Sequence, residues 1–149
     1  AARDAAQPQC LWIWDAFQAQ LLALLVQLDS VTCARWRPLV AYKYETTVYD
    51  KMNVLAYCCG TSRIYFWSAD AGPTWCDLPH NPETGVAIVV NSIQWSSDGN
   101  KLLCQGTEAL CVANVYIDKT GACTGIIEKS RKVNSAMDKE AMEDIIEWN

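Results

Sequence analysis

From Val90 to Gly106 the chain alternates, turns and resumes. Val90, Ser92 and Gln94 alternate with Asn91, Ile93 and Trp95, and Asp98-Gly99 follows as the positive-φ pair of a tight hairpin. The pattern predicts two short strands. It occurs again in degraded form: Ser30 to Pro38 matches the first strand with its tryptophan, Trp36, and Met52 to Gly60 matches the second. Arg63-Ile-Tyr-Phe-Trp-Ser68 then echoes Cys10-Leu-Trp-Ile-Trp-Asp15. Trp14 to Trp67 spans one repeat and Trp36 to Trp95 another, both longer than the roughly 40–45 residues of an unembellished propeller repeat. The excess sits in a polar, tyrosine-rich insertion, Leu39 to Asp50.

Each copy reads as four strands: one bearing a tryptophan, one of Cys/Tyr/Leu type, a second aromatic strand and a weaker outer one. That is the make-up of a β-propeller blade, so the expected fold is all-β, a partial propeller of about two to three blades. Ala1 to Gln9 reads as a connector. Cys10 to Asp29 supplies the last two strands of an incomplete first blade, with Leu21–Val26 as a buried strand. Ser30 to Pro79 forms a second blade and Val86 to Val115 a third, with one short strand at Ile126-Ile127. The propeller is therefore placed at residues 1–128, with breaks near 30 and 86. A closed propeller takes about four to eight blades, so the expectation is the C-terminal part of a larger one, completed by an upstream segment or by another chain. Residues 129–149 read as an acidic tail with a short amphipathic helix. Met137, Ala141, Ile145 and Trp148 fall on one helical face, and Ser135 with Asp138 resembles a capping box. That stripe either docks on the propeller edge or binds a partner.

Trp14-Asp15, Trp67-Ser68 and the Trp95-Ser96-Ser97-Asp98-Gly99 hairpin resemble the Trp-Asp (WD) repeat superfamily. With Pro8-Gln-Cys-Leu-Trp-Ile-Trp-Asp15, Leu25-Val-Gln-Leu28, Cys58-Cys-Gly-Thr-Ser-Arg-Ile-Tyr-Phe-Trp-Ser68 and Leu78-Pro79, the chain is most similar to the final blades of the WRAP-type centrosomal WD-repeat family. The resemblance covers about Ala2 to Val115. It implies a scaffold that anchors microtubule minus ends at the centrosome, spindle pole or basal body. Implied partners are a coiled-coil anchoring protein of the pole and a minus-end-directed kinesin. The chain departs from the superfamily in lacking Gly-His before the first strand, in Ser68 following Trp67, and in Leu110 to Val115 standing where a tryptophan is expected. Trp14, Asp15, Trp36, Trp67, Trp95, Asp98 and Gly99 are the blade residues, the tryptophans packing between blades. Tyr42, Tyr44 and Tyr49 in the insertion, with Met137, Ile145 and Trp148 in the tail, are the candidate partner contacts.

Composition narrows the function classes. Twelve basic against 17 acidic side chains argue against a nucleic-acid or anionic-membrane surface. Leu21–Val26 falls well short of the about 20 apolar residues that span a bilayer. Eight cysteines lie mostly in apolar strand runs, where a thiol behaves as a small hydrophobe. Without a signal-like segment they predict a reducing, cytoplasmic setting, with no bridges among Cys10, Cys33, Cys58, Cys59, Cys104 and Cys111. Nucleotide and zinc-protease motifs are missing from the sequence, and adjacent Cys58-Cys59 point to opposite faces of a strand, so no cofactor, metal or catalytic residue is assigned. Two alternatives stay open: a WD-repeat subunit of another assembly, axonemal or RNA-processing, and a thiol enzyme using Cys58 or Cys59.

Overall fold

A computed structural model describes residues 1–38, 53–80, 85, 87–106 and 109–132. Every regular element among them is a strand, in three antiparallel meanders. The first sheet holds β1 (Ala2–Asp4), β2 (Gln7–Asp15) and β3 (Gln20–Val26). The second holds β4 (Cys33–Trp36), β5 (Leu55–Cys58), β6 (Arg63–Ser68) and β7 (Gly72–Asp77). The third holds β8 (Ser92–Trp95), β9 (Lys101–Gln105), β10 (Ala109–Ile117) and β11 (Cys123–Lys132).

The second sheet shows why the sheets stack. All four residues of β5 are buried, as are the flanking Val54 and Cys59. Alternation sends them to opposite faces. Leu55, Tyr57 and Cys59 join Trp67 against Leu11, Ile13, Leu25 and Val31 on the first-sheet side. Ala56 and Cys58 join Ile64 and Phe66 against Ile93, Trp95, Leu102 and Cys104 of the third. A strand buried on both faces reads as a continuous apolar run, as Val54 to Cys59 does. Each large side chain removed from water there contributes about 1.5–3 kcal/mol, an upper figure since unfolded chains are partly collapsed.

Polar atoms seal these interfaces. The Trp95 indole Nε1 donates to Arg35 O across the second and third sheets at 3.0 Å, and its ring meets Phe66 edge-on at 6.1 Å. Val90 N donates to Thr61 O at 3.0 Å on the same boundary. Between the first and second sheets, Gln27 Nε2 donates to the Tyr57 hydroxyl at 3.2 Å. Burial raises the Tyr57 pKa, so the phenol stays neutral.

Four sequence expectations need correcting. Ala1 to Gln9 is no connector, because β1 pairs with β2 through Ala2↔Trp12 and Arg3↔Leu11. The first sheet therefore has three strands. Leu21–Val26 is a strand but not a buried one: Leu25 is covered, while Leu21, Leu22, Leu24 and Val26 are exposed. Its apolar run mimics a two-faced core strand, yet only one face meets another sheet. Last, Ile126-Ile127 belongs to a ten-residue strand, β11, whose pairing with β10 continues to Ala109↔Lys132. The sheet thus passes the boundary near 128, and the polar Glu128-Lys-Ser-Arg-Lys132 run that resembled a tail belongs to the edge strand of the third sheet. The helix expected beyond it, with Met137, Ile145 and Trp148, lies outside the described residues, as do Tyr42, Tyr44 and Tyr49.

Candidate interaction groove

The turns joining β2 to β3, β6 to β7, β8 to β9 and β10 to β11 lie at one end of their sheets, a consequence of meander order. Each is held by a side chain at the end of the preceding strand. Asp15 Oδ1 accepts from Phe17 N at 2.9 Å and Gln18 N at 3.1 Å. Ser68 Oγ accepts from Ala71 N at 3.1 Å and donates to Thr120 O at 3.1 Å, which ties the second sheet's turn to the third's. Asp118 Oδ1 accepts from Thr120 Oγ1 at 2.6 Å, Thr120 N at 2.8 Å and Ala122 N at 3.1 Å. The Thr120 hydroxyl, more than any other group, holds the Asp118 carboxyl below the ordinary range. Position by position, Trp14-Asp15, Trp67-Ser68 and Ile117-Asp118 are one motif repeated. The third copy was not legible at Leu110 to Val115 because the strand runs two residues longer and its aromatic is replaced by isoleucine.

The fourth turn is built on Ser96 and Asp98. The Ser96 hydroxyl donates to Asp98 Oδ1 at 2.5 Å and accepts from Lys101 N at 3.0 Å, while Asn100 N donates to the same carboxylate oxygen at 3.0 Å. The Ser96 hydroxyl, then the Asn100 amide, lower the Asp98 pKa. Gly99 sits at φ +72°, and Arg37 Nε donates to its carbonyl at 2.8 Å. A Cβ on Gly99 would stand 2.8 Å from that same Nε. Gly99→Ala is therefore expected to cost about 1–2 kcal/mol from the left-handed backbone alone, with the Arg37 contact displaced in addition. Urea unfolding of the two proteins checks this; equal midpoints would show that the turn does not need its glycine.

These sheets are consistent with the blades of a partial WD-repeat propeller. Meander topology, face-to-face packing and the repeated strand-end cap place them in that fold. No family model matches the chain. It is 26% identical over 112 residues to the mouse (Mus musculus) WD repeat-containing protein WRAP73, an alignment covering 75% of this chain and 21% of that protein. The chain thus spans about a fifth of its relative's length, and the likeness supports a WD-repeat relationship.

The tryptophans divide into two groups. Trp67 and Trp95 are buried between blades, at 6% and 4% exposure. Trp14 and Trp36, expected to pack in the same way, are largely open, at 50% and 39%. Trp36 meets Trp67 edge-on at 6.4 Å, and both line a groove of about 770 Å³ between the turn ends of the first and second blades. Trp14, Phe17 and Leu22 form its first-blade wall, with Phe17 fully exposed at the turn tip. Among the described residues, Asp15 and Asp70 are the charged side chains of the lining. The volume lies in the usual range of ligand-binding clefts, and indole faces beside carboxylates attract cations. Sequence reasoning singled out Trp14, Asp15, Trp36 and Trp67 but missed Phe17, Asp70 and the groove. Its signal is weak in sequence, since its walls come from two repeats.

Cys58 and Cys59 do not share one site. Their side chains enter different inter-blade cores. Burial pushes the Cys58 thiol up to about 12 and the Cys59 thiol up to about 11. His80 is exposed in the loop after the second blade. Among the described residues, no group of three or more His, Cys, Asp or Glu side chains is placed to hold a metal ion.

Proposed function

We propose that the chain serves as a non-enzymatic WD-repeat scaffold for assembling protein complexes. The groove carries this reading: an open aromatic cleft with two carboxylates, mounted on rigid blades, is a surface for a protein segment presenting arginine or lysine. Apolar aromatic contacts supply the area, and the carboxylates select the charge. The resemblance of Cys10 to Asp15 and Cys58 to Ser68 to WRAP-type centrosomal proteins supports a finer role. That role is anchoring microtubule minus ends at the centrosome, spindle pole or basal body, in cytoplasm and cytoskeleton. A coiled-coil anchoring protein and a minus-end-directed kinesin are the proposed partners, and fold-level analogy supplies that step.

The test compares tagged protein in its full-length form with a Phe17→Ser/Asp70→Lys variant. Both sites are exposed, so the variant should melt with the parent. The parent is expected to recover tubulin and pole components, and the variant to recover them at least about tenfold less, as loss of an aromatic anchor and a charge reversal imply. Equal recovery would remove the groove from the proposal. Axonemal or RNA-processing components in place of pole components would overturn the cytoskeletal role.

A further inference from the structure

We propose that Cys76 and Cys123 are a disulfide-forming pair, through which an oxidant of the peroxide class joins the outer strands of the second and third blades. Cys76 lies on β7 and Cys123 opens β11, and their sulfurs are 3.3 Å apart. Nothing in the spacing of the cysteines pointed to this, since the two are separated by β8, β9 and β10. The blade packing makes the pair.

The approach is held in place on both sides. Cys123 N donates to Thr74 Oγ1 at 3.2 Å, and the Ser68 hydroxyl donates to Thr120 O at 3.1 Å. These bonds hold β7 against the start of β11. A disulfide needs the sulfurs about 1.3 Å closer, near 2.0 Å. The register shift beside Ile117↔Cys123 lets β11 supply that movement without disturbing the rest of its ladder.

Access separates this pair from the other facing pairs of cysteines. Cys33 faces Cys58 across β4 and β5, and Cys104 faces Cys111 across β9 and β10. All four are buried, beyond the reach of a dissolved oxidant. Cys111 is also committed elsewhere, its thiol donating to Glu128 Oε2 at 2.9 Å. Cys76 and Cys123 are both partly exposed. The chemistry balances in two steps. Peroxide oxidises one thiol to a sulfenic acid and releases a water. The second thiol then attacks that sulfur, forming the S–S bond and expelling a second water, so that two electrons and two protons leave the pair and the peroxide is reduced. Burial pushes the Cys123 thiol up to about 12, so the reaction gains rate as the pH rises towards that value.

Hydrogen peroxide treatment of the purified chain, followed by thiol titration under denaturing conditions and nonreducing peptide mapping, tests the proposal. The expected result is a fall from eight thiols to six, with a single Cys76–Cys123 cross-linked peptide. The oxidised chain should melt several degrees higher than the reduced one, because the bridge closes a long loop of the unfolded chain, and dithiothreitol should reverse the shift. Cys76→Ser should keep all its remaining thiols and show no shift, with Cys76→Ala as a second variant should serine perturb folding. Retention of all eight thiols, or a bridge formed from Cys104 and Cys111 or between two chains, would overturn it.

Discussion

Trp95→Ala is expected to lower stability by about 3–5 kcal/mol, the range for a large aromatic removed from a packed core. Trp95 is 4% exposed and fills the boundary between second and third blades, against Phe66. Its loss opens a cavity there and leaves Arg35 O without its indole donor. Against a total folding free energy of about 5–15 kcal/mol for a domain, that is a large fraction. Trp95→Phe separates the two contributions: it keeps much of the apolar volume and loses the hydrogen bond, an expected cost of about 1–3 kcal/mol. Urea unfolding followed by near-ultraviolet circular dichroism measures both. A Trp95→Ala protein that melts like the parent but fails to bind a partner would make Trp95 a recognition residue instead.

Trp95 also illustrates what the sequence discloses. A tryptophan two residues after Ile93, ahead of Asp98-Gly99, announces strand, face and turn together, because local chemistry fixes all three. The same holds for Val54 to Cys59, whose unbroken apolar run requires cover on both faces. What failed to show were features set by neighbours in space. Leu21–Val26 has the composition of a core strand, and only the placement of the sheets decides that Leu24 and Val26 face outwards. Ala2–Asp4 carries too few residues to signal a strand, and pairing with β2 creates it. Phe17 and Asp70 meet across one groove, and Cys76 and Cys123 across one blade boundary, because blades stack. Sequence periodicity within a repeat carries no record of contacts between repeats.

The repeat does, however, make the outer face of the first blade interpretable. Leu11, Trp12, Ile13 and Trp14 on β2 correspond to Ile64, Tyr65, Phe66 and Trp67 on β6. Tyr65 and Trp67 pack towards the first blade, and Trp67 is 6% exposed there. Trp12 occupies the position of Tyr65 one blade earlier and Trp14 that of Trp67. A register shift beside Trp14 turns the strand end to the groove, and Trp14 is 50% exposed. In register with them stand Leu24 opposite Trp12, Val26 opposite Cys10 and Leu21 opposite Trp14. The outward face of the third blade is different, mixing Gln94, Lys101, Gln105 and Asn114 with Leu103, Leu110, Val112 and Tyr116, and its two leucines are already buried. The first blade therefore presents an open apolar face of the kind that another blade covers, and the third a more polar face whose leucines are already covered.

The 149-residue chain is accordingly expected to self-associate through this face, and Leu24→Lys combined with Val26→Lys to abolish the association. Each buried apolar side chain contributes about 1.5–3 kcal/mol, so the pair is worth about 3–6 kcal/mol at the interface. At 1.4 kcal/mol per factor of ten, that is a weakening of about 10²- to 10⁴-fold. Lysine on a strand near a sheet edge is also the side chain that natural sheets use against edge pairing, and both positions are already exposed, so the fold should survive. Sedimentation velocity across micromolar concentrations reads the result, with Tyr116→Lys on the opposite blade as the control expected to leave association unchanged. A parent chain that sediments as a monomer throughout that range would show that the outer face of the first blade is not an interface. If the two lysines leave association intact while Tyr116→Lys disperses it, the contact belongs to the third blade, and the correspondence between Trp14 and Trp67 does not extend to what covers them.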